Sequence, residues 1–102
     1  MNEVDFRNWL ASKGTGSKVQ TDYISRLRRV ERELDNCDLD DEYKRDRCEY
    51  LLSVFLKMGN NDKMKKYPNA KFPIGKYHLS TYRHSIKKYV EFCDEFIGLS
   101  QQ

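Results

Sequence analysis

Apolar residues recur at helical spacing in four stretches of the chain. In the first, from about Glu3 to Ser12, Phe6, Trp9 and Leu10 stand at i, i+3 and i+4 and share one face. Asn2 is placed to cap it, and Lys13-Gly14-Thr15-Gly16 ends it because glycine accepts a left-handed terminus. The second runs from Ser17 or Thr21 to Asn36, with Tyr23, Leu27, Val30 and Leu34 on one stripe. Its opposite face carries Asp22, Arg26, Arg29 and Glu33, and Arg28 and Arg32 flank that face.

The third stretch runs from about Asp40 to Met58. Asp40, Asp41 and Glu42 sit where a helix start favours negative charge, and Cys48, Leu51, Phe55 and Met58 form its stripe. Gly59-Asn60-Asn61 is its stop. The fourth runs from Ser80 to about Phe96, with Tyr82, Ile86, Tyr89, Cys93 and Phe96 inward and Arg83, His84, Lys87 and Lys88 outward. Leu79 and Ser80 read as staple and cap. Between the last two lies a basic loop, Asn60 to Leu79, with Pro68, Pro73 and Gly75 and one short helical turn expected within Asp62–Tyr67. No strand pattern is found. The pattern predicts an all-α fold, a compact four-helix bundle with a long basic loop between helices three and four, as one domain over 1–97 and a polar tail over 98–102.

Composition changes this picture in one respect, the placement of charge. The 102 residues carry a net charge of only +3. Residues 30–56 hold four basic and nine acidic residues, whereas residues 57–88 hold nine basic residues and Asp62 alone as an acid. A localised positive field implies a polyanionic partner more than a mild average charge does. Aromatic residues at 13% argue against disorder. No run approaches the roughly 18 apolar residues that would span a bilayer, so no membrane partner is expected. Cys37, Cys48 and Cys93 are odd in number and lack CxxC spacing, which suits a reducing cytoplasm and core roles.

Three constellations are candidates for nucleic-acid contact. The basic loop interleaves Lys63, Lys65, Lys66, Lys71 and Lys76 with Tyr67, Phe72 and Tyr77. Lysines attract phosphates without regard to sequence, and aromatics stack on bases or pack inward; both roles can coexist. At the start of helix four, Lys76, Arg83, Lys87 and Lys88 flank Ser80, Thr81 and Tyr82 beside free backbone N–H groups, the plain alternative being a capped, solvated helix. Helix two supplies Arg26, Arg28, Arg29 and Arg32, whose guanidinium forks suit phosphate, although Glu31, Glu33 and Asp35 offer intrahelical pairing instead. His78, His84 and Cys93 lack metal-ligand spacing, and Asp38-Leu39-Asp40-Asp41-Glu42 lacks the glycine and terminal glutamate of a calcium loop. No phosphate-cradling glycine loop or nucleophile–base set is present, so no catalytic residue, cofactor, metal or small-molecule substrate is expected.

The order of these elements resembles a known family. Phe6-x-x-Trp9-Leu10, a Gly/Ser turn, Tyr23-x-x-x-Leu27 and a closing Tyr82-Arg83-His84-Ser85-Ile86-Lys87-Lys88-Tyr89 look like the N-terminal core-binding, SAM-like domain of tyrosine recombinases and phage integrases. The resemblance implies a bundle gripping one side of a duplex in a C-shaped clamp. It implies contacts from the turn before helix two (Ser17, Lys18), from helix two (Arg26, Arg29) and from the start of helix four (Thr81, Arg83, Lys87). The chain departs from the family at the turn, where position 19 is Val19 and Thr21 is displaced. The family's catalytic half has no counterpart here. The expected function is therefore non-catalytic binding of double-stranded DNA through backbone phosphates, with a fused catalytic domain or a protein as further partner. The alternative is a protein–protein adaptor that associates through its acidic and basic faces.

Overall fold

The computed structural model describes residues 1–72 and 79–100, with side chains up to Phe96, and every regular element among them is helical. Helices α1 (Glu3–Ser12), α2 (Ser17–Glu33), α3 (Leu39–Asp46), α4 (Glu49–Val54) and α5 (Leu79–Ser100) are joined by two short 3-10 turns, Leu56–Gly59 and Met64–Lys66. Asn2 caps α1 by accepting the Asp5 amide. Gly14, at φ 84°, turns the chain out of α1 while the Thr15 amide reaches the Leu10 carbonyl at 3.0 Å. The α2 stripe is buried as its period predicts, at Tyr23, Leu27, Val30 and Leu34, with Ile24 added to it, and the helix closes at Glu33, earlier than the expected Asn36.

The single helix expected from Asp40 to Met58 is two helices and a 3-10 turn. Arg47 and Cys48 both adopt left-handed backbone, at φ 56° and 62°, and separate α3 from α4. The cause is a conflict of phase. Leu39 and Cys48 are both wholly buried. Nine residues of straight helix would set them on opposite faces, roughly 13 Å apart along the axis. The break brings the Cys48 thiol to 3.8 Å from the Leu39 carbonyl and lets both elements face one core. A second left-handed pair, Lys57 and Met58 at φ 55° each, turns the chain after α4 and leaves Met58, an expected core residue, 40% exposed. Non-glycine residues in this region cost about 1–2 kcal/mol each, so the contacts around them must hold them there. Two further expectations are corrected. Phe96 is 46% exposed rather than inward. The α5 backbone also stays helical to Ser100, past the expected end at Phe96.

The core has two aromatic centres. Phe6, Tyr89 and Phe92 meet with ring centroids 5.0–5.5 Å apart, joining α1 to α5. Phe72 packs edge-on against Phe55 at 5.3 Å and Tyr82 at 5.1 Å, so the basic stretch is anchored by an inward aromatic. Tyr67 is half-buried, its hydroxyl 2.9 Å from that of Tyr50, and the expected turn within Asp62–Tyr67 is present as Met64–Lys66 with Met64 buried.

Polar links join the helices. The Tyr89 hydroxyl, on a wholly buried ring, accepts the Asn2 amide at 2.7 Å and donates to Asp40. Next to it, the ammonium of Met1 donates to Asp38 at 2.8 Å and Glu31 at 3.1 Å and lies 3.8 Å from Asp40. Glu31 also accepts the Leu39 amide at 2.9 Å. Burial alone would lower the pKa of this amine, but the hydrogen bonds and charges of Asp38, Glu31 and Asp40 raise it from 8.0 to about 10. Burial pushes the Cys37, Cys48 and Cys93 thiols up to about 12, so they remain protonated at neutral pH.

Two outcomes follow. Since folding raises the amine pKa, its contribution is whole below pH 8 and fades as pH rises through about 10. Acetylating the Met1 amine is expected to cost about 1–2 kcal/mol at pH 7, read by urea unfolding, with the gap closing above pH 10. Tyr89→Phe is expected to cost about 1–3 kcal/mol in the same assay, because it leaves the Asn2 amide and Asp40 without their shared partner.

Candidate nucleic-acid interface

Residues of α2 on the face away from the core point into solvent, and there the arginines converge. Arg26, Arg28, Arg29 and Arg32, with Ser25 and the Tyr82 ring from α5, line one open groove of about 400 Å³. The four differ in how they are held. Arg29 is half-buried, its guanidinium 5.7 Å from the Phe72 ring centroid and 6.0 Å from that of Tyr82. It donates to the Tyr82 hydroxyl at 3.3 Å and to the Lys71 carbonyl, and its buried Nε has no partner among the described residues. Arg28 reaches back to α1 and grips Glu3 with two hydrogen bonds, which hold the Glu3 carboxyl below its usual range. Arg32 lies 3.3 Å from Glu33. Arg26 has no ion-pair partner among the described residues.

Arg32 also lines a neighbouring groove of about 240 Å³, shared with Lys66, Tyr67, Glu33 and Asp35. The two carboxylates weaken the field of this second groove relative to the first. Lys71 is fastened between them by its backbone, its amide donating to Glu33 at 3.1 Å while its side chain stays exposed. The Lys71 amide, helped by Arg32 and opposed by burial, accounts for the lowered pKa of Glu33.

Lys63 and Lys65 face elsewhere. They line a third groove of about 390 Å³ with Leu56, Lys57, Asn61 and Asp62. Lys63 donates to the Ser53 hydroxyl at 2.8 Å and lies 5.9 Å from the Tyr50 ring centroid, while Lys65 is 3.6 Å from Asp62. The 3-10 turn Met64–Lys66 divides its lysines between this groove and the second one. The first two grooves share Arg32 and so form one belt, Arg26, Arg29, Arg32 and Lys66, whereas Lys57, Lys63 and Lys65 line a separate groove.

Other expected contacts stand off the belt. Lys18 lies two turns before Arg26 on α2, roughly 12 Å away, and is 3.5 Å from Asp22. Thr81 precedes the groove residue Tyr82, and its carbonyl accepts the Ser85 hydroxyl at 2.8 Å. Arg83 is half-buried, with Nε unpartnered among the described residues, and Lys87 is exposed on the outer side of α5. Lys76, with Tyr77 and His78, lies outside the described residues.

Spacing could not decide whether Tyr82 is core, as its place in the α5 stripe reads, or a contact beside Ser80 and Thr81; the structure makes it a groove wall. Nor could spacing anticipate Lys57, which the left-handed turn carries to the third groove. Among the described residues, no three His, Cys, Asp or Glu side chains gather as a metal site, and no helix is long and apolar enough to cross a membrane.

The arginines divide into fixed and free. Arg29→Lys is expected to lower unfolding free energy by about 1 kcal/mol, since lysine cannot span Tyr82 and the Lys71 carbonyl from one planar fork. Arg26→Ala is expected to stay within about 0.5 kcal/mol of the parent. Parallel thermal melts decide between the two. No protein-family profile, no curated protein and no solved structure matches the chain.

Proposed function

We propose that this chain is a non-catalytic module that docks on duplex DNA through backbone phosphates. The observation that carries the reading is the convergence of Arg26, Arg28, Arg29 and Arg32 on one groove beside Tyr82. Arginine forks match phosphate oxygens in pairs, and Arg29 is already oriented by its aromatic neighbours, so little freedom is lost on contact. Arg26 is unpaired among the described residues and is the first to engage. Lys66 continues the charge along the belt, and Lys71 is tied to Arg29 by its carbonyl. The sequence resemblance to recombinase core-binding domains supports the same choice of partner, and a C-shaped clamp would add Lys18, Thr81, Arg83 and Lys87 as outlying contacts. In this reading the protein works in the cytoplasm, and any chemistry on the DNA belongs to a partner protein or a fused catalytic domain.

A second reading, the protein adaptor, is favoured by a different observation. Trp9, Phe92 and the exposed Phe96 line a groove between α1 and α5, with Lys13 and Glu95 at its edge. Against an adaptor built on acidic and basic faces, Glu31, Asp38 and Asp40 are already engaged by the Met1 ammonium.

Fluorescence anisotropy with a labelled mixed-sequence duplex tests the choice. Neutralising about five phosphates gives a log–log salt slope near −4 to −5, and Arg26→Ala with Arg32→Ala is expected to reduce that slope by about two. Lys63→Glu, Lys65→Glu and Lys66→Glu together are expected to abolish retention. Binding indifferent to salt or to these substitutions overturns the proposal, and an effect of the lysine reversals on self-association alone favours the adaptor.

A further inference from the structure

The 3-10 turn Leu56–Gly59 combines features that a plain connection does not need. It exposes two large apolar side chains two positions apart, Leu56 at 46% and Met58 at 40%. Between them Lys57 adopts left-handed backbone, as does Met58. The turn is nevertheless held firmly. The Asn61 side-chain amide donates to the Val54 and Leu56 carbonyls at 2.8 Å each, and its oxygen accepts the Met64 amide at 2.9 Å. The Asn60 amide closes on the Lys57 carbonyl at 3.0 Å, and Gly59 is buried at φ 81°. Apolar exposure here is thus built into a clamped, conformationally costly turn rather than left by a slack loop.

The surroundings of the turn are cationic. Lys57, Lys63 and Lys65 share its groove, and residues 56–66 contain four lysines against Asp62 alone. Lys65 of this groove directly precedes Lys66, which lines the groove that Arg32 shares.

We propose that Leu56 and Met58 form a wedge that enters the minor groove of the bound duplex and unstacks one base step. Leucine and methionine are among the side chains suited to separate stacked bases, and a kink away from the wedge brings flanking phosphates onto lysines that a straight duplex would miss. Charge complementarity selects the occupant: the turn is framed by Lys57, Lys63 and Lys65, which suits a polyanion with an apolar interior of stacked bases. This inference rests on the duplex-binding reading above.

The test uses the whole chain and a duplex carrying a donor and an acceptor dye at its ends. Saturating protein is expected to change the energy-transfer efficiency as the duplex bends. The Leu56→Ser, Met58→Ser double variant is expected to lose that change while its affinity falls no more than about tenfold, because phosphate contacts carry the binding. Both positions are exposed, and circular-dichroism melts check that the variant remains folded; Met58→Ser alone is expected to lose part of the change. If the parent binds without altering energy transfer, or the double variant alters it equally, the wedge is overturned and duplex binding stands. If no duplex is bound at low salt, the duplex reading itself fails and the wedge with it. Sedimentation with phosphatidylserine-containing vesicles supplies the remaining arm. Vesicle binding that depends on Leu56 and Met58, with energy transfer unchanged, overturns the proposal in favour of a lipid surface.

Discussion

A hydroxyl buried without access to water has to find partners inside the protein, and the Tyr89 hydroxyl sets the arrangement of this one. From the middle of α5 it takes the Asn2 amide and Asp40, which fixes the beginning of α1 and the beginning of α3 at one point. The Met1 ammonium adds Glu31 of α2 to the same cluster. Four helices thus meet through one connected set of polar groups, and the aromatic packing of Phe6, Tyr89 and Phe92 lies directly against it. Such a network specifies a unique packing because each member leaves another unsatisfied if it moves.

That cluster also governs the surface. The acidic middle of the chain would cancel much of the basic charge if its carboxylates were free to meet it. Instead Glu31, Asp38 and Asp40 face the amino terminus, and Asp94 holds Arg47 and the Tyr43 hydroxyl. Glu3 of α1 holds Arg28 of α2. Glu33 and Asp35 remain near the belt, which is why its lysine end is weaker than its arginine end. Of the groove arginines, Arg28 is paired with Glu3 and Arg32 with Glu33, which leaves Arg26 and Arg29 without an ion-pair partner among the described residues.

Backbone strain and exposed surface coincide in one place and separate in another. The left-handed pair Arg47–Cys48 serves packing, since it re-phases α4 so that Cys48 and Leu39 share a core. The left-handed pair Lys57–Met58 serves no burial of its own residues and instead presents them outward under the clamp of Asn61. The same local geometry thus completes the interior at Arg47–Cys48 and shapes the surface at Lys57–Met58, and it recurs at Asp35–Asn36 between α2 and α3.

What the sequence by itself determined is what local periodicity and local charge can encode. The helical class, the α1 and α2 stripes, the glycine stop at Gly14, the short turn near Met64 and the basic character of residues 57–88 all follow from neighbours a few positions apart. Only the tertiary structure decided the break at Arg47–Cys48, because the phase conflict exists only when Leu39 and Cys48 must reach one core. It also decided which cations are free. Arg28 is claimed by Glu3 across 25 positions and Arg29 by the Lys71 carbonyl across 42, whereas Arg26 on the same helix keeps no such partner among the described residues. Pairings over such separations depend on how helices dock, and no spacing rule along one helix carries that information.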